Sequence, residues 1–198
     1  SPTLWLGEKM RIYTLSKDED GVVQTIKKVG SNWISPQTDL KKNIAEYLKN
    51  KRVQGDWIDV VDGRIINFQV NFTILADKNR KQEVLVECLQ KLKDYFDINN
   101  WNINQPIFIS NVITTLQEIN GVINVVDIKF YNVFGKDNYS GKEYQPIEIG
   151  RYKYNKLTSL NSTNNKFEMI STGNIIQGLP DSLFFIRYPE TDIIGNCL

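Results

Sequence analysis

The sequence contains no histidine. That absence removes Ser/His and Cys/His nucleophilic pairs and the usual zinc sites. Only two cysteines occur, Cys88 and Cys197, without a C-x-x-C and without metal-ligand spacing. Glycine-rich phosphate loops are missing too, since neither G-x-G-x-x-G nor G-x-x-x-x-G-K-[ST] occurs. No window approaches the length of a membrane span, and no signal-peptide pattern opens the sequence. An excess of one charge is also lacking. The 24 basic and 23 acidic residues leave a net charge of +1, which gives no field favouring nucleic acid or an anionic membrane.

What remains is an ordinary globular composition, 41% hydrophobic and 24% charged over 198 residues. A chain of this size buries a real core without staples. Cys88 falls on the apolar side of a predicted helix and reads as a small buried thiol. Cys197 reads as free, and the pair fits a reducing, cytoplasmic place of synthesis. The chain opens on Ser1, which points to a segment of a longer polypeptide.

Periodicity predicts the elements. Lys9 to Leu15 alternates as a strand, closed by the charged turn Lys17 to Gly21. Ser35-Pro36 offers an N-cap and a first-turn proline. Leu40, Ile44, Tyr47 and Leu48 then form one helix stripe, ended by Lys49, Lys51 and Arg52. Trp57 to Val61 is a short strand, and Asp62-Gly63 a hairpin turn. Arg64 to Leu75 alternates most cleanly: Ile66, Phe68, Val70, Phe72 and Ile74 face inward, while Asn67, Gln69, Asn71 and Thr73 form a wet or partner-binding face. At about 3.3 Å per residue it spans about 35–40 Å and is expected to bend.

Lys81 to Phe96 is the strongest helix, with Val84/Leu85, Cys88/Leu89, Leu92 and Phe96 in its stripe and a Glu87–Lys91 pair outside. Asn99-Asn100 breaks it, and Trp101 and Ile103 fold back as a plug. Pro106 biases Gln105 to extended backbone. Ser110 caps a short helix with Ile113, Leu116 and either Ile119 or Val112 on its face, stopped by Asn120-Gly121. Val122 to Val133 is a strand with Val126, Ile128 and Phe130 inward. Beyond Phe134 only short β-like pieces follow, around 147–152, 167–170 and 184–188, and this stretch is expected to wrap on the preceding domain or on a neighbouring chain.

The expected class is α+β: mixed sheets with helices packed on one face, two β-α-β-like units, and an irregular β-rich C-terminal tail. Domain bounds fall at 1–63, 64–134 and 135–198, the last a contact-making extension.

No residue set carries chemistry. Asp18-Glu19-Asp20 is a surface turn without a calcium-loop continuation. Asp56, Asp59 and Asp62 alternate across a strand and turn, which is poor geometry for a shared site. Lys49 to Arg52 is a solvated helix end. Tyr152 and Tyr154, interleaved with Arg151, Lys153 and Lys156, read as a β edge, with base stacking as the alternative. Gly30 to Trp33 is a loop whose indole either packs on the first helix or anchors an interface. Trp5, Trp101, Tyr139, Tyr144, Phe184, Phe185 and Tyr188 also lie outside the amphipathic elements, a pattern that suggests protein contact. Catalytic, cofactor and metal residues are therefore expected to be none, and the chain is not read as an enzyme.

An ordered set of residues resembles the C-terminal region of the large baseplate wedge protein of contractile-tailed phages, the baseplate J-like family. The set comprises Asp94-Tyr95-Phe96, Trp101 to Ile107, Leu116 and Gly121-Val122. Around it lie Ser1 to Leu4 with Ile12 to Ser16, Tyr47-Leu48 with Arg52, and Phe185 to Pro189 with Asp192 to Gly195. Arg151 to Ile170 departs from the family by being longer and richer in asparagine. The resemblance implies a virion structural protein of the tail baseplate, made in the host cytoplasm. Its copies pair, bind other wedge proteins and join neighbouring wedges into a ring around the hub, which rearranges at sheath contraction. It implies no cofactor, nucleic acid, membrane or small-molecule substrate. The alternative is a free-standing α+β module binding peptide or RNA.

Overall fold

The computed structural model describes residues 9–17, 23–24, 27–29, 32–34, 38–51, 57–135, 140–144, 166–169, 171 and 173–198. The chain divides into two compact units, Ser1–Arg64 and Ile65–Leu198. The fold is α+β with mixed sheets.

Unit 1 begins with β1 (Lys9–Thr14), β2 (Ser16–Lys17) and β3 (Val23–Gln24), the last two an antiparallel ladder. β4 (Lys27–Val29) pairs with β5 (Asn32–Ile34), so Trp33 belongs to a strand rather than the expected loop. Helix α1 (Thr38–Lys49) then crosses over to β6 (Trp57–Asp62), which lies parallel to β1 with Met10 opposite Ile58. A parallel pair cannot be closed by a tight turn, so the helix supplies the crossover. Asp62-Gly63 is accordingly not a hairpin turn. The Gly63 N–H donates to Thr14 O at 2.8 Å, and β6 joins β1 instead of folding back on the next strand. The proposed capping pair Ser35-Pro36 lies outside the described residues.

Unit 2 is built on β7 (Arg64–Ala76), the long alternating strand. Helix α2 (Lys81–Tyr95), a 3-10 turn (Ile98–Asn100), β8 (Ile107–Phe108), helix α3 (Ile109–Gln117) and β9 (Val122–Val133) follow. The C-terminal stretch adds β10 (Lys166–Glu168), β11 (Ile175–Ile176), β12 (Ser182–Phe185), the one-turn α4 (Pro189–Asp192) and β13 (Ile193–Cys197). β7 is central: β9 and then β10 extend the sheet on one side, while β12 and β13 both pair with β7. β9 runs antiparallel to β7 and β13 parallel, so the sheet is mixed. Of the described tail strands, β10, β12 and β13 thus join the β7 sheet, and β11 pairs with β8.

Alternation on β7 works as expected on its apolar side. Ile66, Phe68, Val70, Phe72 and Ile74 are buried, together with Val84, Cys88 and Leu92 of α2 and Val112 and Leu116 of α3. The Phe68 ring meets Phe96, Phe130 and Phe184 edge-on or tilted at 5.2, 6.3 and 5.9 Å. Trp101 closes this cluster by stacking on Phe96 at 5.6 Å, and its indole N–H donates to Tyr95 O at 3.0 Å. Ile103, expected beside it as a plug, is only half-buried.

Two local expectations change. Val126 is not inward; it is 51% exposed. Thr73 pairs with Asp127 but Ile74 pairs with Val125, so Val126 is the extra residue of a β-bulge and the facing switches there. Ser110 is not the cap of α3, because Phe108 stands at the N-cap without a side-chain bond. The Ile109 N–H finds Asn174 O at 2.9 Å instead, a tertiary partner replacing a local one.

Candidate interaction surfaces

The aromatic tail was the first surface expected to make contacts. Tyr144, Phe184 and Phe185 are instead buried, and Tyr188 is half-buried. Tyr139, Tyr152 and Tyr154 lie outside the described residues, as do Trp5, Arg151, Lys153 and Lys156. The buried phenol of Tyr144 donates to Asp192 Oδ1 at 2.8 Å. Lys142 Nζ lies 3.5 Å from the same oxygen and also bonds Thr191 Oγ1. Asp192 Oδ2 is buried without a hydrogen-bond partner. Burial pushes the Asp192 carboxyl above the usual carboxylate range, opposed by Tyr144 and then Lys142. The cluster fastens residues 142–144 to the end of α4. Its groups have the character of a structural clasp, with the acid enclosed.

The polar face of β7 was the second. It is not wet: Asn67 is 1% exposed, and Gln69, Asn71 and Thr73 are half-buried. Asn67 Nδ2 and Oδ1 and Asn71 Oδ1 lack hydrogen-bond partners. Across the ladder stand Tyr131, Lys129 and Asp127. Lys166 Nζ sits 3.8 Å from the centroid of the Tyr131 ring, and burial lowers its pKa. A row with this little solvent access offers a small surface to a partner.

Unit 1 differs. Helix α1 carries the predicted stripe, yet none of its residues is buried. Ile44 and Leu48 are half-buried, whereas Leu40 and Tyr47 are exposed, Tyr47 by 67%. Met10 of β1 is exposed, and Trp57 of β6 is 63% exposed. Between α1 and β6 lies an open groove of about 640 Å³, lined by Lys42, Ala45, Glu46, Lys49, Trp57 and Ile58 among others. Sequence reasoning missed this surface, because an amphipathic stripe is the ordinary sign of a helix packed into a core.

The carboxylates considered for chemistry do not converge. Asp59 lies 3.7 Å from Arg11, and Asp62 pairs with Lys41 at 2.6 Å. Asp56 and Asp18-Glu19-Asp20 lie outside the described residues, among which no group of three potential metal ligands occurs. The Cys88 thiol is buried and its pKa is pushed up to about 11, chiefly by burial. That suppresses the thiolate and with it nucleophilic reactivity. No helix among the described residues is long and apolar enough to cross a membrane. Comparison with known proteins finds no family model and no curated protein that matches the chain.

Proposed function

We propose that this chain is a structural subunit of a contractile-tail baseplate wedge in the virion, self-associating and joining neighbouring wedges into the ring around the hub. The observation that carries the reading is α1, an amphipathic helix of 12 residues with none buried. Unit 2 fills a dense aromatic core, so the chain has no general shortage of packing. Leu40, Tyr47, Met10 and Trp57 remain in solvent in unit 1. Exposed large apolar and aromatic side chains of this kind mark surfaces that other proteins cover.

Of the residues behind the family resemblance, Tyr47 belongs to this exposed side, and those of unit 2 serve a different end. Phe96, Trp101, Ile107 and Leu116 are core residues of unit 2, and Gly121 sits against Val84. They support a common frame, while the contact role rests on unit 1. The rearrangement of the ring at sheath contraction is part of the same proposal and draws on the resemblance alone. Sedimentation of the purified chain over a concentration series, together with detection of the protein in purified tail particles, tests the reading. Self-association and particle incorporation are expected. A chain that stays monomeric at high concentration and is absent from the particles defeats it.

A further inference from the structure

We infer that the α1–β6 groove seats an extended acidic segment of a neighbouring protein, one that carries a large apolar side chain between carboxylates. This rests on the reading of unit 1 as a contact surface and adds the chemistry of the partner. Ala45, Trp57 and Ile58 supply the apolar part of the groove, and Lys42 and Lys49 a cationic part. Glu46 approaches Lys49 only to 3.9 Å with both side chains mostly exposed, a geometry of little energetic value. Lys42 makes no ion pair among the described residues. The formal charge of the described lining residues is therefore +1, with two ammonium groups set about two α-helical turns apart beside an indole.

Tryptophan is the residue type that most often dominates binding energy when a partner encloses it. Covering Trp57 requires an apolar side chain, and answering Lys42 and Lys49 requires carboxylates on either side of it. A nucleic acid could offer a stacked base and phosphates. Glu46 lies between the two lysines, however, and the whole chain carries only +1, which gives no general field to draw in a phosphate backbone.

The test uses the full chain and a dye-labelled peptide alternating glutamate with leucine and phenylalanine, read by fluorescence anisotropy. The comparison probes are a peptide with lysine in place of glutamate and a single-stranded oligonucleotide. Binding of the acidic peptide is expected, with about a tenfold loss in Trp57→Ala, the size of a typical anchor residue. The double change Lys42→Glu with Lys49→Glu should reverse the preference in favour of the lysine peptide. A folding defect would weaken both peptides and reverse nothing, so this variant keeps the outcome readable. Equal binding of both peptides, indifference to Trp57→Ala, or preference for the oligonucleotide overturns the inference. So does self-association lost in Trp57→Ala without any acidic-peptide binding. A chain that enters tail particles but ignores the peptide leaves the wedge reading standing and removes only this one.

Discussion

The Tyr144 phenol donates a 2.8 Å hydrogen bond to Asp192 across 48 residues of sequence. Both residues are buried, and the Tyr144 ring meets Tyr188 edge-on at 5.6 Å. The bond ties residues 142–144 to the end of α4, next to β13. The same enclosure that makes the bond strong also makes a carboxylate expensive there.

This pair predicts a pH effect with a definite sign. The folded Asp192 pKa is raised by burial. Its contribution to stability is therefore full below the unfolded-state value of about 3.9 and is lost as pH rises through the higher folded value. Asp192→Asn keeps an acceptor for Tyr144 and removes that loss. Urea midpoints measured from acid to neutral pH should show the variant gaining on the parent as pH rises. A constant difference across the range would refute the assignment. Tyr144→Phe should cost about 1–2 kcal/mol by leaving the buried Asp192 Oδ1 with only its longer contact to Lys142.

Adjacent residues of β7 provide a second test. Phe68→Asp buries a charge in the aromatic cluster and should cost at least about 3–5 kcal/mol. From alternation alone Asn67→Asp is expected to be mild, but Asn67 is 1% exposed and unpartnered, so it too should be severe. Asn67→Val removes an unsatisfied amide and favours the strand, and should be neutral or stabilising by up to about 1 kcal/mol. A mild Asn67→Asp variant in chemical denaturation would show that this face opens to water.

Gly121, in the turn between α3 and β9, has φ 103°, and an added Cβ would lie 2.7 Å from Val84 Cγ2. Gly121→Ala meets both a backbone and a packing penalty and should cost about 2–3 kcal/mol. Adding Val84→Ala relieves only the contact, and it creates a cavity of its own. The double variant should therefore remain below the parent in thermal denaturation; full recovery would mean that the backbone conformation costs nothing.

Trp101 separates packing from hydrogen bonding. Trp101→Phe keeps a ring against Phe96 but loses the donor to Tyr95 O, for about 1–2 kcal/mol. Trp101→Ala empties the site and should cost about 3–5 kcal/mol. Equal losses in equilibrium unfolding would assign the whole effect to the hydrogen bond.

Much of unit 2 was legible because its signals are local. Of the predicted stripe, Val84, Cys88 and Leu92 of α2 and Phe96 at its end are buried and Leu85 and Leu89 half-buried, as the 3.6-residue period leads one to expect. The apolar alternation on β7 follows from spacing and the positive φ of Gly121 from backbone freedom, although α3 has already ended at Gln117 with Glu118 as its C-cap. The same rules misjudged Val126, since a bulge depends on how two strands align rather than on either one. They misplaced the cap of α3 because Asn174, distant in sequence, satisfies the Ile109 N–H. Leu40 and Tyr47 have the period of a buried face and are exposed, because periodicity records which side of a helix is apolar and not what lies against it.

The sequence by itself determined the α+β class, the long helix and strands of unit 2, and the lack of histidine-based chemistry. Each depends on residue type and near-neighbour spacing. Only the tertiary structure decided that β6 pairs with β1, that β12 and β13 pair with β7, and that the tail's Tyr144, Phe184 and Phe185 enter the core. It also decided that Trp57 and the Leu40 and Tyr47 side of α1 stay exposed. Such outcomes depend on which distant segments exclude water from one another, and that property belongs to the assembled chain.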